Sequence, residues 1–88
     1  MKIKEGFVIR EVMGNYVAVA VGNASKSFRG MVKLNRTAAD IWQLIDRGMD
    51  EEEICRAMLK EYDVESERLC ADVHRIIEDL CAKGFVER

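Results

Sequence analysis

The stretch Lys33–Gly48, KLNRTAADIWQLIDRG, decides how the chain must fold. Its first residues finish a short β-type run, MVKL, in which Val32 and Leu34 should face a core and Met31 and Lys33 the opposite side. Asn35 then suits the N-cap of a helix, with Thr37 and Asp40 in or near the first turn and Gly48 as its stop. Ala38, Ile41, Trp42 and Ile45 recur at helical spacing and form one apolar stripe. The stretch is a strand-to-helix corner, and it holds no nucleophile, metal ligand or phosphate loop.

Upstream of this corner the hydrophobic period is that of strands. FVIREV (Phe7–Val12) and NYVAVAV (Asn15–Val21) flank Met13-Gly14, a compact hairpin signal. The second run is apolar on both faces, as in a central strand. With Val17, Val19 and Val21 turned to the helices, Tyr16, Ala18 and Ala20 would line the opposite face as a surface that another backbone can approach. A polar, glycine-bounded loop (Gly22–Gly30) precedes the third strand, a candidate sheet edge.

Downstream the period is helical throughout. Asp50 and Glu53 have capping-box spacing at the start of a second helix whose inward residues are Ile54, Met58 and Leu59, with Cys55 and Tyr62 beside them. A third helix starts between Asp63 and Ser66 and runs to Lys83. Its stripe is Leu69, Val73, Ile76, Ile77 and Leu80, and Phe85-Val86 fold back after Gly84. The expected fold is α+β: a three-stranded antiparallel sheet followed by three helices in one domain spanning residues 1–88.

Composition narrows the function. Of the 88 residues, 49% are hydrophobic and 34% charged, the balance of a chain that folds around a core. A net charge of −2 argues against a nucleic-acid partner, which selects for a basic face. No apolar run reaches the roughly 20 residues that cross a bilayer, and MKIKEGFVIR lacks the apolar core of a secretory signal. Three cysteines without CxxC spacing fit reduced thiols in the cytoplasm.

The search for chemistry finds little. Cys70 and His74 lie one turn apart, but Cys81 is about 10 Å further along at ~1.5 Å per residue, too far to share an ion held at ~2.0–2.3 Å. His74 and Glu78 have acid–base spacing, which is equally that of a solvated helix pair. No triad, P-loop or dinucleotide motif is present. The chain reads as no enzyme, with no catalytic residue, no metal and no cofactor.

VKLNRTAADIWQLID, followed by EEEICRAMLKEYDV and DVHRIIEDLCAKGFV, resembles the PqqD family, named for a pyrroloquinoline quinone synthesis protein. The most specific features are the Leu34-Asn35-x-Thr37-Ala38 corner, Ile41, Asp46-x-Gly48, Glu53-Ile54, Asp72-Val73, Leu80 and Gly84. The resemblance implies a winged helix-turn-helix-like fold and a role as recognition element for ribosomally made, post-translationally modified peptides. Such a module captures the leader of a precursor peptide and presents the peptide to a modifying enzyme, often a radical S-adenosylmethionine enzyme. In the family the leader adds as a strand to the third strand, beside the third helix. Carried onto this chain, the expected peptide-binding residues are Arg29, Met31, Val32, Lys33 and Leu34 on the edge and Val73, Ile76, Ile77 and Leu80 on the helix. Lys26, Arg29 and Lys33 would favour an acidic leader segment. Two alternatives stand beside this reading: a winged-helix nucleic-acid binder, and a regulatory protein that self-associates, for instance as a homodimer, through the third-strand edge or the alanine face.

Overall fold

The computed structural model describes residues 1–26 and 30–88. In chain order they form β1 (Lys2–Ile3), β2 (Phe7–Val12), β3 (Asn15–Ala20), a 3-10 turn (Gly22–Lys26), β4 (Met31–Leu34), α1 (Arg36–Asp46), α2 (Glu51–Glu61), α3 (Ser66–Ala82) and β5 (Val86–Glu87). β2, β3 and β4 make an antiparallel sheet in that order, and the three helices follow it.

The local choices have physical causes. Met13 (φ 51°) and Gly14 (φ 81°) close the β2–β3 hairpin with positive φ at both central residues, the handedness that matches strand twist. Asn35 takes an extended backbone (φ −74°, ψ 169°) and its Oδ1 accepts from the Ala38 N–H at 2.8 Å, starting α1. Asp50 and Glu53 complete the reciprocal capping box: the Glu53 N–H donates to Asp50 Oδ1 at 2.8 Å, and the Asp50 N–H donates to Glu53 Oε1 at 3.1 Å. α3 starts without a side-chain cap and ends at Gly84, whose φ of 86° only glycine adopts cheaply.

Helix termination there sends Phe85 back into the core, where it is fully buried. Its ring centroid lies 5.1 Å from that of Phe7 at an edge-on 66°, and 5.4 Å from that of Trp42. Ile41, Ile45, Ile54, Met58, Val73, Ile77 and Leu80 complete the buried cluster, so each helix contributes one face. Leu59 is only half-buried, whereas Ala39 and Cys55 are buried, additions to the expected stripes.

Two features differ from expectation. The alanine side of β3 faces the helices: Ala18 is fully buried and Tyr16 packs against the core, while Val17 and Val19 turn outward. A strand apolar on both faces carries no period that tells in from out. Register decides instead, because Tyr16 and Ala18 sit opposite Leu34 and Val32, which the helices cover. The second feature is the β1–β5 ribbon, which pairs Lys2 with Glu87 and Ile3 with Val86 from opposite ends of the chain. Two-residue strands show no alternation, so nothing local announces them.

Trp42 is 2% exposed at the junction of α1 and the returning C-terminal segment. Trp42→Ala should cost roughly 3–5 kcal/mol by loss of transfer energy and creation of a cavity. Chemical denaturation measures it, and a loss below about 1 kcal/mol would contradict the core placement.

Candidate functional site

The hairpin geometry determines which backbone groups of β4 are free. In a two-residue hairpin the flanking pair, Val12 and Asn15, exchanges both backbone bonds, and such pairs then recur at every second position. Arg10–Val17 and Val8–Val19 are therefore bonded pairs, and the series continues to Val21, whose N–H donates to the Gly6 carbonyl at 2.7 Å. Tyr16 and Ala18 consequently turn their backbone groups to β4, where they meet Leu34 and Val32. Met31 and Lys33 remain, with N–H and C=O directed away from the sheet. Among the described residues no strand pairs with β4 on that side.

A cleft of about 370 Å³ opens next to the corner that ends this strand. It is lined by Asn35 and Thr37 at the corner, Tyr62 and Val64 of the α2–α3 connection, and Arg68, Leu69, Asp72, Val73, Arg75 and Ile76 of α3. The Tyr62 hydroxyl donates to Asp40 Oδ2 at 2.9 Å; burial and this bond raise its pKa, so it stays a neutral donor. Val64 is 48% exposed at the cleft mouth, an apolar side chain that no core contact requires to be there.

The expected site residues divide. Met31 is 67% exposed and Lys33 exposed, Val32 is half-buried and Leu34 buried. Arg29 lies outside the described residues. On α3, Ile76 is half-buried and lines the cleft with Val73, whereas Ile77 and Leu80 are buried in the core and do not border it. Thr37, Tyr62, Val64 and Arg68 were not among the expected residues. Val64 precedes the helix and so has no place in a helical stripe, and the other three are polar or amphipathic groups whose proximity arises only from packing α3 against the corner.

A three-stranded antiparallel sheet followed by three helices, with the β4 edge beside a cleft, has the winged helix-turn-helix-like architecture expected from the sequence. The chain belongs to the PqqD family: the model for Coenzyme PQQ synthesis protein D matches residues 15–86. No curated protein matches it. The fold is similar to that of TbiB1 in complex with the TbiA(beta) leader peptide, with a TM-score of 0.80 and 24% identity over 99% of this chain and 95% of that one. It is also similar to lasso peptide synthetase B1 complexed with its leader peptide, with a TM-score of 0.79 and 18% identity over 99% and 96% of the two chains.

Charged side chains elsewhere serve local structure. Arg75 pairs with Asp72 at 3.1 Å and Lys83 with Asp79 at 2.9 Å, so these two cations of α3 face carboxylates of their own helix. Burial and a hydrogen bond with Cys70 push the Cys55 thiol up to about 12, which keeps it protonated. Among the described residues no three metal-binding side chains converge, and no helix is long and apolar enough to cross a membrane. His74 meets Glu51 of α2 at 3.0 Å rather than Glu78, and Glu78 instead pairs with Arg88, which also reaches Glu51 at 2.8 Å. Burial alone would raise the Glu51 pKa, but the bonds from Arg88 and His74 outweigh it and hold the carboxyl below its usual value. A depressed folded value stabilises above the unfolded pKa near 4.5 and is lost as pH falls through the folded value. Glu51→Gln should therefore lower stability at pH 7 by under about 1 kcal/mol. In melts run at decreasing pH, the gap between the two proteins should close in acid; a constant gap would show that the ion cluster is not its source.

Proposed function

We propose that this protein is a non-catalytic recognition module that holds the leader of a precursor peptide by strand addition at β4 and presents the peptide to a modifying enzyme, a radical S-adenosylmethionine enzyme in the fuller form of the proposal. The observation that carries this reading is the pair of unpartnered backbone positions, Met31 and Lys33, beside the cleft. Membership of the PqqD family and likeness to two leader-peptide complexes support it.

Strand addition needs an open edge for main-chain hydrogen bonds and a side-chain groove for selectivity. Two residues each offering an N–H and a C=O give an added strand four bonds. Alternate side chains of the peptide would then fall on the cleft side, against Val32, Thr37, Val64 and Ile76, with Val73 beneath, while Leu34 fixes the end of the edge. The remaining side chains would fall on the side of Met31 and Lys33, where Lys33 favours an acidic residue. Arg29, one residue before Gly30 in sequence, adds to that preference, as does Lys26. Ile77 and Leu80 act indirectly, by holding α3 where its cleft face meets the edge. Strand addition requires no cofactor, and it suits the reduced cytoplasm in which ribosomal peptides emerge.

Proline substitution separates the two edges of β4, because proline removes one donor. Lys33→Pro should leave a folded domain that binds the leader at least tenfold more weakly, whereas Val32→Pro removes a bond to Ala18 of β3 and should unfold it. Calorimetric titration with the leader of a precursor peptide from the same gene cluster, should one be present there, measures the first effect, against a wild-type Kd on the order of micromolar, since ordering a flexible peptide offsets much of its contact energy. Normal binding by a folded Lys33→Pro protein would place the peptide elsewhere.

A further inference from the structure

The sheet face turned away from the helices has a composition that folding does not explain. Register places Val8, Val19 and Met31 in one row across it, Arg10, Val17 and Lys33 in the next, and Val12 with Asn15 in the last. A sheet face left to water is normally polar at these positions. Here Val12 is 47% and Met31 67% exposed, and the apolar surface runs on to the hairpin tip, where Met13 is 96% exposed. Met13 also takes a left-handed backbone (φ 51°), which asparagine or glycine adopts far more readily. A residue that strains the turn and buries nothing contributes nothing to the fold.

The charge on this face is one-sided. Arg10 and Lys33 flank Val17 and, among the described residues, neither forms an ion pair; no carboxylate occupies an outward position in the three strands. In a chain of net charge −2 this is a local basic pair set in an apolar field. Two copies stacked face to face would oppose cation to cation, so the charge selects an unlike partner that carries carboxylates. The face is also continuous with the open edge, because Met31 and Lys33 belong to both, and a peptide strand added at β4 would extend the same surface.

We propose that this outer sheet face is the docking surface for the enzyme that acts on the held peptide, which meets it with an apolar patch bearing a carboxylate opposite Arg10, Lys33 being left to the leader. The partner's identity rests on the leader-binding reading above; the surface itself does not. The test is reconstituted modification of a precursor peptide whose leader this chain binds, using this chain and the enzyme that modifies that peptide. Arg10→Glu combined with Met13→Asn should melt no lower than wild type and bind the leader with unchanged Kd. The modification rate should fall at least tenfold at limiting enzyme and recover at excess enzyme. Met13→Asn alone should raise the melting temperature while still lowering the rate, an outcome that damage to the fold would not produce. An unchanged rate with intact leader binding overturns the docking proposal and leaves the recognition function standing. Loss of leader binding in the double variant, or loss of a wild-type dimer in sedimentation, also overturns it by assigning the face to the peptide or to a second copy. Failure of the wild-type chain to bind the leader is a separate result, which removes the recognition function and this proposal together.

Discussion

The packing of Phe85 is the contact on which the rest of the molecule depends. Its ring is fully buried, and it touches Phe7 of β2 on one side and Trp42 of α1 on the other. The sheet, the first helix and the end of the third helix therefore share one side chain. Gly84 makes this possible by ending α3 in a left-handed turn, after which the Phe85 N–H donates to the Leu80 carbonyl at 3.0 Å. A short chain with few large side chains has little redundancy, so one well-placed aromatic ring does what several would do in a larger core.

With the helices so anchored, the sheet is held on one face and by one edge. β3 takes bonds from both neighbours, β2 is closed to it by the hairpin, and β4 hangs from it by Val32 and Leu34. Leu34 is buried and Asn35 caps α1 immediately afterwards, so the last residue of the strand and the first of the helix are fixed by different forces acting on adjacent residues. An edge this short resists unwanted pairing with other chains, yet it stays in register because the corner holds it.

Much of this is legible in the amino-acid sequence alone. Asn35, the Asp50–Glu53 box and the stripes of α1 and α3 are local signals, since capping and helical periodicity act within a few residues. Val32 facing in and Met31 facing out follow from strand alternation in the same way. The sense of β3 is not legible, because alanine and valine are both apolar and only the pairing of Tyr16 and Ala18 with Leu34 and Val32 shows which side is covered. The cleft is partly legible: Ile76 and Val73 belong to a stripe, whereas Thr37 comes from α1 and Tyr62 and Val64 from the α2–α3 connection, and only tertiary packing brings them together. Ile77 and Leu80 share a stripe with Ile76, but a stripe wide enough to seat a helix has a buried centre and accessible margins, and sequence spacing does not tell the two apart.

The β1–β5 ribbon sets Lys2 opposite Glu87, neighbours across about 5 Å of paired backbone. A unit whose two ends meet in this way can be spliced into a loop of a larger protein with no need to span a distance, since the host has only to supply two attachment points one strand-spacing apart. The architecture thus suits equally a free-standing subunit and a cassette carried inside an enzyme, with no change to the core or to the β4 edge.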